Sequence, residues 1–264
     1  MARIPLPEIQ DYDFCPRLFR DAVTALMRFA IDQLRVYDPV LPLLQQLLAH
    51  SAERRIIDLC SGGAGPWGRL GQALAAAVGE PVPVVLTDKY PNLPAFAALK
   101  AAAPQIIAAQ SQPVDATCVP AELVGVRTLF SSFHHFAPPQ ARQILADAVA
   151  SRAPIGIFEF TERSLPACLG MLGAPLVALL LIPWLPPRSL GRLLSCLPLP
   201  IVPLMATWDG FASNLRSYSL AELRQLVADL DPTDYHFQVG RLTAPLRLPV
   251  TYLIGYPLPR RDTC

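Results

Sequence analysis

Charge of a single sign is missing from this sequence: 22 basic residues against 21 acidic ones leave a net charge of +1 over 264 residues. That balance excludes the basic face on which a nucleic-acid partner depends, so none is expected. Metal-ligand spacing is missing too. Cys15, Cys60, Cys118, Cys168, Cys196 and Cys264 are scattered, without the CxxC pairs of zinc sites. No metal is expected, and the cysteines read as free thiols of a reducing compartment. The first residues, Met1-Ala-Arg-Ile-Pro-Leu-Pro-Glu8, lack the apolar stretch of a secretory leader. A cytoplasmic location is therefore expected. No internal repeat or low-complexity linker divides the chain, and its length suffices for one large domain with a sizeable core.

What the chain has in excess is apolar character, with 52% hydrophobic residues and 29 prolines. That calls for a greasy pocket, a membrane-facing surface or a partner. Residues 164–187 form a run of 24 without charge, and 193–208 a second of 16. The first is as long as a membrane span. A single crossing would put the last strands across the bilayer from the sheet they complete. Prolines at 166, 175, 183, 198, 200 and 203 also interrupt both runs. The preferred reading is an apolar helical lid. Peripheral membrane contact through 164–208 and a dimer interface are the alternatives, so the chain is expected to be a monomer or a homodimer.

Helical spacing of Phe19, Ala22, Val23, Leu26, Met27, Phe29 and Ala30 predicts a helix over 19–30, with a second over 40–50. From 55 to 160 strands alternate with helices: strands at 56–59, 82–87, 105–109, 126–131 and 155–160, helices at 67–78, 94–103 and 140–151. That alternation means βαβ units and a parallel sheet, with ligands at the carboxyl ends of the strands. A helix at 220–230 and strands at 235–240 and 251–256 close the chain.

The first strand ends in Arg55-Ile-Ile-Asp-Leu-Cys-Ser-Gly-Gly-Ala-Gly-Pro-Trp67. An acid is followed by a turn of small residues and then a helix, whose first N–H groups are unused. This stretch resembles the first motif of the class I S-adenosylmethionine (SAM) dependent methyltransferases: an acid, one residue, then Gly-x-Gly-x-Gly. Asp58 fits the acid and Gly62 the middle glycine. Cys60 and Ala64 stand where glycines are usual, with Gly63 and Gly65 beside them. The dinucleotide fingerprint requires three glycines in strict register, which this turn lacks. A dinucleotide site and a degenerate, non-binding turn remain as alternatives. The resemblance covers roughly 52–162 and resumes at 219–258.

The resemblance implies an α/β fold. Its Rossmann-like sheet is mostly parallel with an antiparallel last strand, and it is accompanied by N-terminal helices (1–51) and an apolar insertion after strand five (163–218). It implies SAM as cofactor and small-molecule metabolism, including secondary metabolite biosynthesis. Asp58 would face the methionine ammonium, beside the turn residues Cys60, Gly62, Gly63 and Gly65. Asp88, with Lys89 next to it, would accept the ribose hydroxyls, which suits a carboxylate. Asp115 and Ala116 would lie at the adenine. Ser131, Ser132 and Phe133 leave strand four where the sulfonium would lie. Against these stand plainer roles: an N-cap for Asp88, a surface turn for Asp115, and a backbone-satisfied buried acid for Asp58.

Catalytic candidates follow in Phe130-Ser-Ser-Phe-His-His-Phe136. Two adjacent histidines on an extended chain face opposite ways, so one of His134 and His135 is the candidate general base. The other packs or caps the next helix. Glu159 could orient a histidine or bind Arg163. Tyr218 is a further catalytic candidate, and Tyr12, Phe136, Asn214 and Arg216 are candidates for the acceptor. Asp209-Gly210 reads as a turn, and the alternation of Asn214, Arg216 and Tyr218 suggests one shared face. The reading is methyl transfer to a small, rather apolar acceptor by in-line displacement in a desolvated pocket. SAM cleavage to azetidine-2-carboxylate and methylthioadenosine is the alternative, and a non-catalytic SAM-binding or interaction protein the second.

Overall fold

Short apolar strands separated by helices build a seven-stranded sheet in this computed structural model. It describes residues 2–12, 14–185, 188–228, 230 and 233–259. Met1, Pro187 and Cys264, which enter the readings above, lie outside the described residues. The chain divides into two units. One joins Arg35–Phe160 to the residues from Leu220 on; the other joins the residues up to Leu34 to Thr161–Ser219.

In the sheet unit the strands are β1 (Ile56–Asp58), β2 (Val84–Leu86), β3 (Ile107–Ala109), β4 (Val126–Phe130), β5 (Ile155–Glu159), β6 (Tyr235–Thr243) and β7 (Pro249–Pro257). Their order is β3-β2-β1-β4-β5-β7-β6. Every neighbouring pair from β3 to β5 is parallel, and β7 is antiparallel to both β5 and β6. The three central strands β1, β4 and β5 are buried at every position, as expected of strands covered on both faces. The strand order reverses between β1 and β4, which puts the carboxyl ends of those two strands at the topological switch point.

Five helices belong to this unit: α2 (Leu41–Ala49), α3 (Trp67–Val78), α4 (Leu93–Ala102), α5 (Pro138–Ala150) and α10 (Leu220–Ala228). The numbering follows the chain, so α1 and α6–α9 fall in the other unit. Helix α2 packs against α3, β5 and β7. A Cβ on Gly156 would lie 2.9 Å from Leu47, so the absent side chain on β5 is what lets α2 sit close. Leu44, Leu47 and Leu48 of α2 are buried in the sheet unit. Around the switch point the rings of Tyr37, Trp67, Phe130 and Phe158 pack together, with centroids 4.8–5.4 Å apart.

Among its described residues the other unit has helices and no strand, with α1 (Arg17–Gln33), α6 (Leu165–Gly170), α7 (Ala174–Leu181), α8 (Leu190–Cys196) and α9 (Ile201–Arg216). Its core includes Ala22, Val23, Leu26, Ala178, Ile182 and Val202. Short 3-10 turns join α6, α7 and Trp184 into a continuous helix, Leu165–Trp184, which is long and apolar enough to cross a membrane. Asp209 and Gly210 lie inside α9 and form no turn. A glycine in a helix costs about 1 kcal/mol relative to alanine. Here its bare Cα admits the Met171 sulfur, which would be 2.6 Å from a Cβ. The strand-like alternation read at 214–218 is likewise corrected, because Asn214 and Arg216 end the same helix.

Candidate active site

The turn after β1 resolves the irregular glycine pattern. Cys60, Gly62, Ala64 and Gly65 all have left-handed backbone, with φ of 58°, 49°, 82° and 55°. Cys60, Gly62 and Ala64 occupy the alternate positions of the Gly-x-Gly-x-Gly pattern, so the backbone keeps that register where two of the glycines are gone. Such φ values are costly for residues with a Cβ. Gly65 is needed for space as well: a Cβ there would lie 3.1 Å from an Asp58 carboxylate oxygen. Burial pushes the Cys60 thiol far up, so it stays protonated.

Asp58, at the end of β1, is buried. Its carboxylate accepts from Ser61 Oγ at 2.6 Å and Thr128 Oγ1 at 2.9 Å. Burial raises its pKa to about 6, against the opposing effect of these donors and the Trp67 indole. No cationic side chain pairs with it among the described residues. The parallel register that sets Asp58 opposite Thr128 explains the second donor. Thr128 shares β4 with the charged Arg127, so nothing local singled it out.

Asp88 follows β2, and its two oxygens accept from the N–H groups of Gly62 and Tyr90, both at 2.8 Å. It is thus tied directly to the turn after β1. Asp115 accepts from Lys89 Nζ at 2.8 Å and from the Thr117 N–H and hydroxyl. The Lys89 bond and the Thr117 donors lower its pKa to about 2. Ala116 beside it is buried. The acids at or after the ends of β1, β2 and β3 therefore sit at one edge of the sheet.

After β4 the chain departs from expectation. Phe133–His135 is a 3-10 turn, not an extended segment, so the argument from strand alternation does not apply. The His134 and His135 rings lie 4.4 Å apart at 33°. His134 is buried, and its Nδ1 is 2.7 Å from Glu159 Oε2 at the end of β5. Glu159 Oε1 accepts from the Phe133 N–H at 2.7 Å. Burial alone would raise the Glu159 pKa, but the His134 imidazole and these hydrogen bonds hold it below the usual value. An ionised Glu159 fixes the tautomer with the proton on Nδ1, leaving the lone pair on Nε2.

Ser131 has φ of 46°, and its hydroxyl lies 2.5 Å from the Tyr37 hydroxyl. Tyr37 was missed by the sequence reading, since nothing local marks an aromatic residue between two helices. Ser132 is buried, and its hydroxyl has no hydrogen-bond partner among the described residues. Phe133 is fully buried and Phe136 half-buried.

The remaining candidates belong to the helical unit. Arg216 pairs with Asp11 at 2.8 Å and Glu8 at 3.5 Å. The Asn214 side-chain oxygen accepts from the Glu162 N–H at 3.1 Å. The Tyr218 ring lies 4.4 Å under the Arg3 guanidinium, and Tyr12 stacks on Phe14. Two further buried acids lie there, Glu8, which the sequence reading passed over, and Asp209, which it read as a turn residue. Glu8 accepts from Ser213, and Asp209 accepts from the N–H groups of Ile9 and Gln10.

Solved structures that share the architecture include two methyltransferase-family proteins. One is the plantazolicin methyltransferase BpumL in complex with SAH, matched over 94% of this chain and 92% of that one, with a TM-score of 0.55 and 11% identity. This is the class I methyltransferase fold. The other is an O-methyltransferase family protein from Burkholderia thailandensis, with a TM-score of 0.50 and 16% identity over 89% of this chain. The chain spans 60% of that protein's length. No protein-family model matches the chain, and a comparison with curated proteins finds no sequence match. In this methyltransferase fold Asp58 and Glu159 end their strands, and Asp88, Asp115 and His134 follow the carboxyl ends of theirs, the edge where such sheets bind ligands.

Proposed function

We propose that the protein binds SAM at the carboxyl ends of β1, β2 and β3 and transfers its methyl group to a small acceptor, with His134 as general base. The observation that carries the reading is the buried His134–Glu159 pair beside the methyltransferase turn. SAM supplies an activated methyl group. Asp58 suits its ammonium, because the buried carboxylate has no cationic partner among the described residues and its pKa of about 6 marks it as wanting one. Asp88 would hold the ribose hydroxyls, and the orphaned Ser132 hydroxyl would donate to ligand. His134 Nε2 takes the proton of an O or N acceptor while Glu159 stabilises the imidazolium that forms. The plantazolicin methyltransferase neighbour supports an acceptor from small-molecule metabolism rather than nucleic acid.

Calorimetry should show SAM binding that Asp88→Ala weakens at least about ten-fold, the loss of one charge-assisted hydrogen bond. Equal affinities would remove SAM from the assignment. Mass spectrometry after incubation with SAM alone should find it intact. Methylthioadenosine above a protein-free control would replace transfer with SAM cleavage.

A further inference from the structure

The outer face of the helical unit is built for a surface that makes no hydrogen bonds. Along the continuous helix Leu165–Trp184, the residues Leu165, Leu169, Leu172, Leu176, Leu180 and Trp184 recur every three or four positions, which lines them up on one side. All are exposed, Leu172 by 76% and Trp184 by 69%. Only 11% of the most apolar stretch of this helix is buried. Nearby, an open apolar groove of about 550 Å³ lies between Phe14, Phe19, Ile201, Leu204 and Trp208. Monomeric proteins rarely expose apolar patches of this extent.

Charge and polar chemistry decide the occupant. Residues 164–208 contain no acid and two arginines. Arg192 is buried, donating to the carbonyls of Leu185 and Asp21. Arg188 is exposed and donates to the Trp184 carbonyl, so the leucine stripe ends in an adjacent tryptophan and arginine. Protein interfaces carry about one hydrogen bond per 100–200 Å², and over its 20 residues this helix has no hydroxyl, amide or charged side chain. Hydrocarbon asks for none. An exposed Trp beside an Arg at its edge matches the boundary between acyl chains and anionic headgroups. A single crossing is excluded by connectivity: β5 precedes the segment, β7 follows it, and the two pair in one sheet. Helices α8 and α9 are bent by 70° and form no straight second span.

We propose that this face docks in the interfacial layer of a lipid bilayer containing anionic lipids, with the leucine stripe among the acyl chains and Arg188 at the headgroups. The proposal stands apart from the methyl-transfer reading, since its measurement involves no SAM.

The test is flotation of the purified full chain with vesicles of phosphatidylcholine alone or mixed with phosphatidylglycerol. The wild type should float with both and bind the anionic mixture more tightly. Arg188→Gln should lower that preference about five-fold, the weight of one surface charge. Replacing Leu172, Leu176 and Leu180 by Glu should abolish flotation, at about ten-fold or more per position. Brominated acyl chains should quench tryptophan fluorescence of the wild type, a readout that needs no variant to fold. Absence of both flotation and quenching overturns the proposal. So does a wild-type dimer in sedimentation that does not bind vesicles and that the leucine substitutions convert to monomer, because the face would then join two copies.

Discussion

Asp58 in the sheet unit and Asp209 in the helical unit look alike by themselves. Both are buried, and burial raises the pKa of each to about 6. Their donors differ. Asp58 is held by two side-chain hydroxyls that rotate, beside a turn of left-handed backbone and without a cationic partner among the described residues. Asp209 is held by the backbone N–H groups of Ile9 and Gln10, next to Glu8, Asp11 and Arg216, and it fastens the N-terminal segment onto α9. A strained, underpaired acid beside permissive backbone marks a ligand site. An acid consumed by backbone donors marks a structural clasp. The same burial thus serves recognition in one unit and assembly in the other.

The widest separation between the units should come from the histidine. His134→Ala is expected to lower turnover by about 10²- to 10⁴-fold while leaving SAM affinity in place. Glu159→Gln should cost less and move the acidic limb of the pH–rate profile, because Glu159 acts through His134. Wild-type turnover in both variants, followed by formation of S-adenosylhomocysteine, would remove the pair from the mechanism.

Asp58→Asn should weaken SAM binding about ten-fold or more and leave thermal stability at pH 8 unchanged or higher. The sign follows from the pKa. A carboxyl whose folded value lies above its unfolded one contributes stability that is present at low pH and lost as pH rises, here from about 4 to about 6. Removing its charge therefore costs the fold nothing at pH 8. SAM affinity of the wild type should run the opposite way, falling as pH drops below about 6. A variant that both binds SAM normally and melts early would make Asp58 a structural acid.

Asp209→Ala should do the reverse, lowering unfolding free energy by about 1–3 kcal/mol because the N–H groups of Ile9 and Gln10 lose their acceptor, with SAM affinity unchanged. Denaturant melts and calorimetry together decide it. A change in affinity without a change in stability would break the contrast between the two acids.

The smallest effect belongs to the turn. Ala64→Gly should stay within about 0.5 kcal/mol of wild type, relief of left-handed strain offsetting the entropy of glycine. Gly65→Ala, which would press a Cβ toward Asp58, should be clearly destabilising. Equal melting temperatures for the two variants would mean the turn is not held as described.

Much of the sheet was legible because local pattern and tertiary role agree there. Ile56-Ile57 and Val84-Val85-Leu86 are short apolar runs with an acid just beyond, and a parallel sheet places such ends together whatever the intervening helices contain. Strand and helix ends moved by a few residues. His134 and Glu159 were both suspects, but their meeting depends on a 3-10 turn that local pattern did not reveal. The apolar insertion was legible as apolar, while Gly210 read as a turn because helical context for a glycine is set by the neighbour it admits, Met171.

The sequence by itself determined the fold class, the acids at the strand ends and the greasy character of 164–208, because periodicity and composition act locally. Only the tertiary structure decided that Thr128 and Ser61 hold Asp58, that Tyr37 meets Ser131, that α2 belongs to the sheet unit, and that Leu165, Leu169, Leu172, Leu176 and Leu180 face outward. Each of those depends on which segments, far apart in the chain, come within a few ångströms of each other.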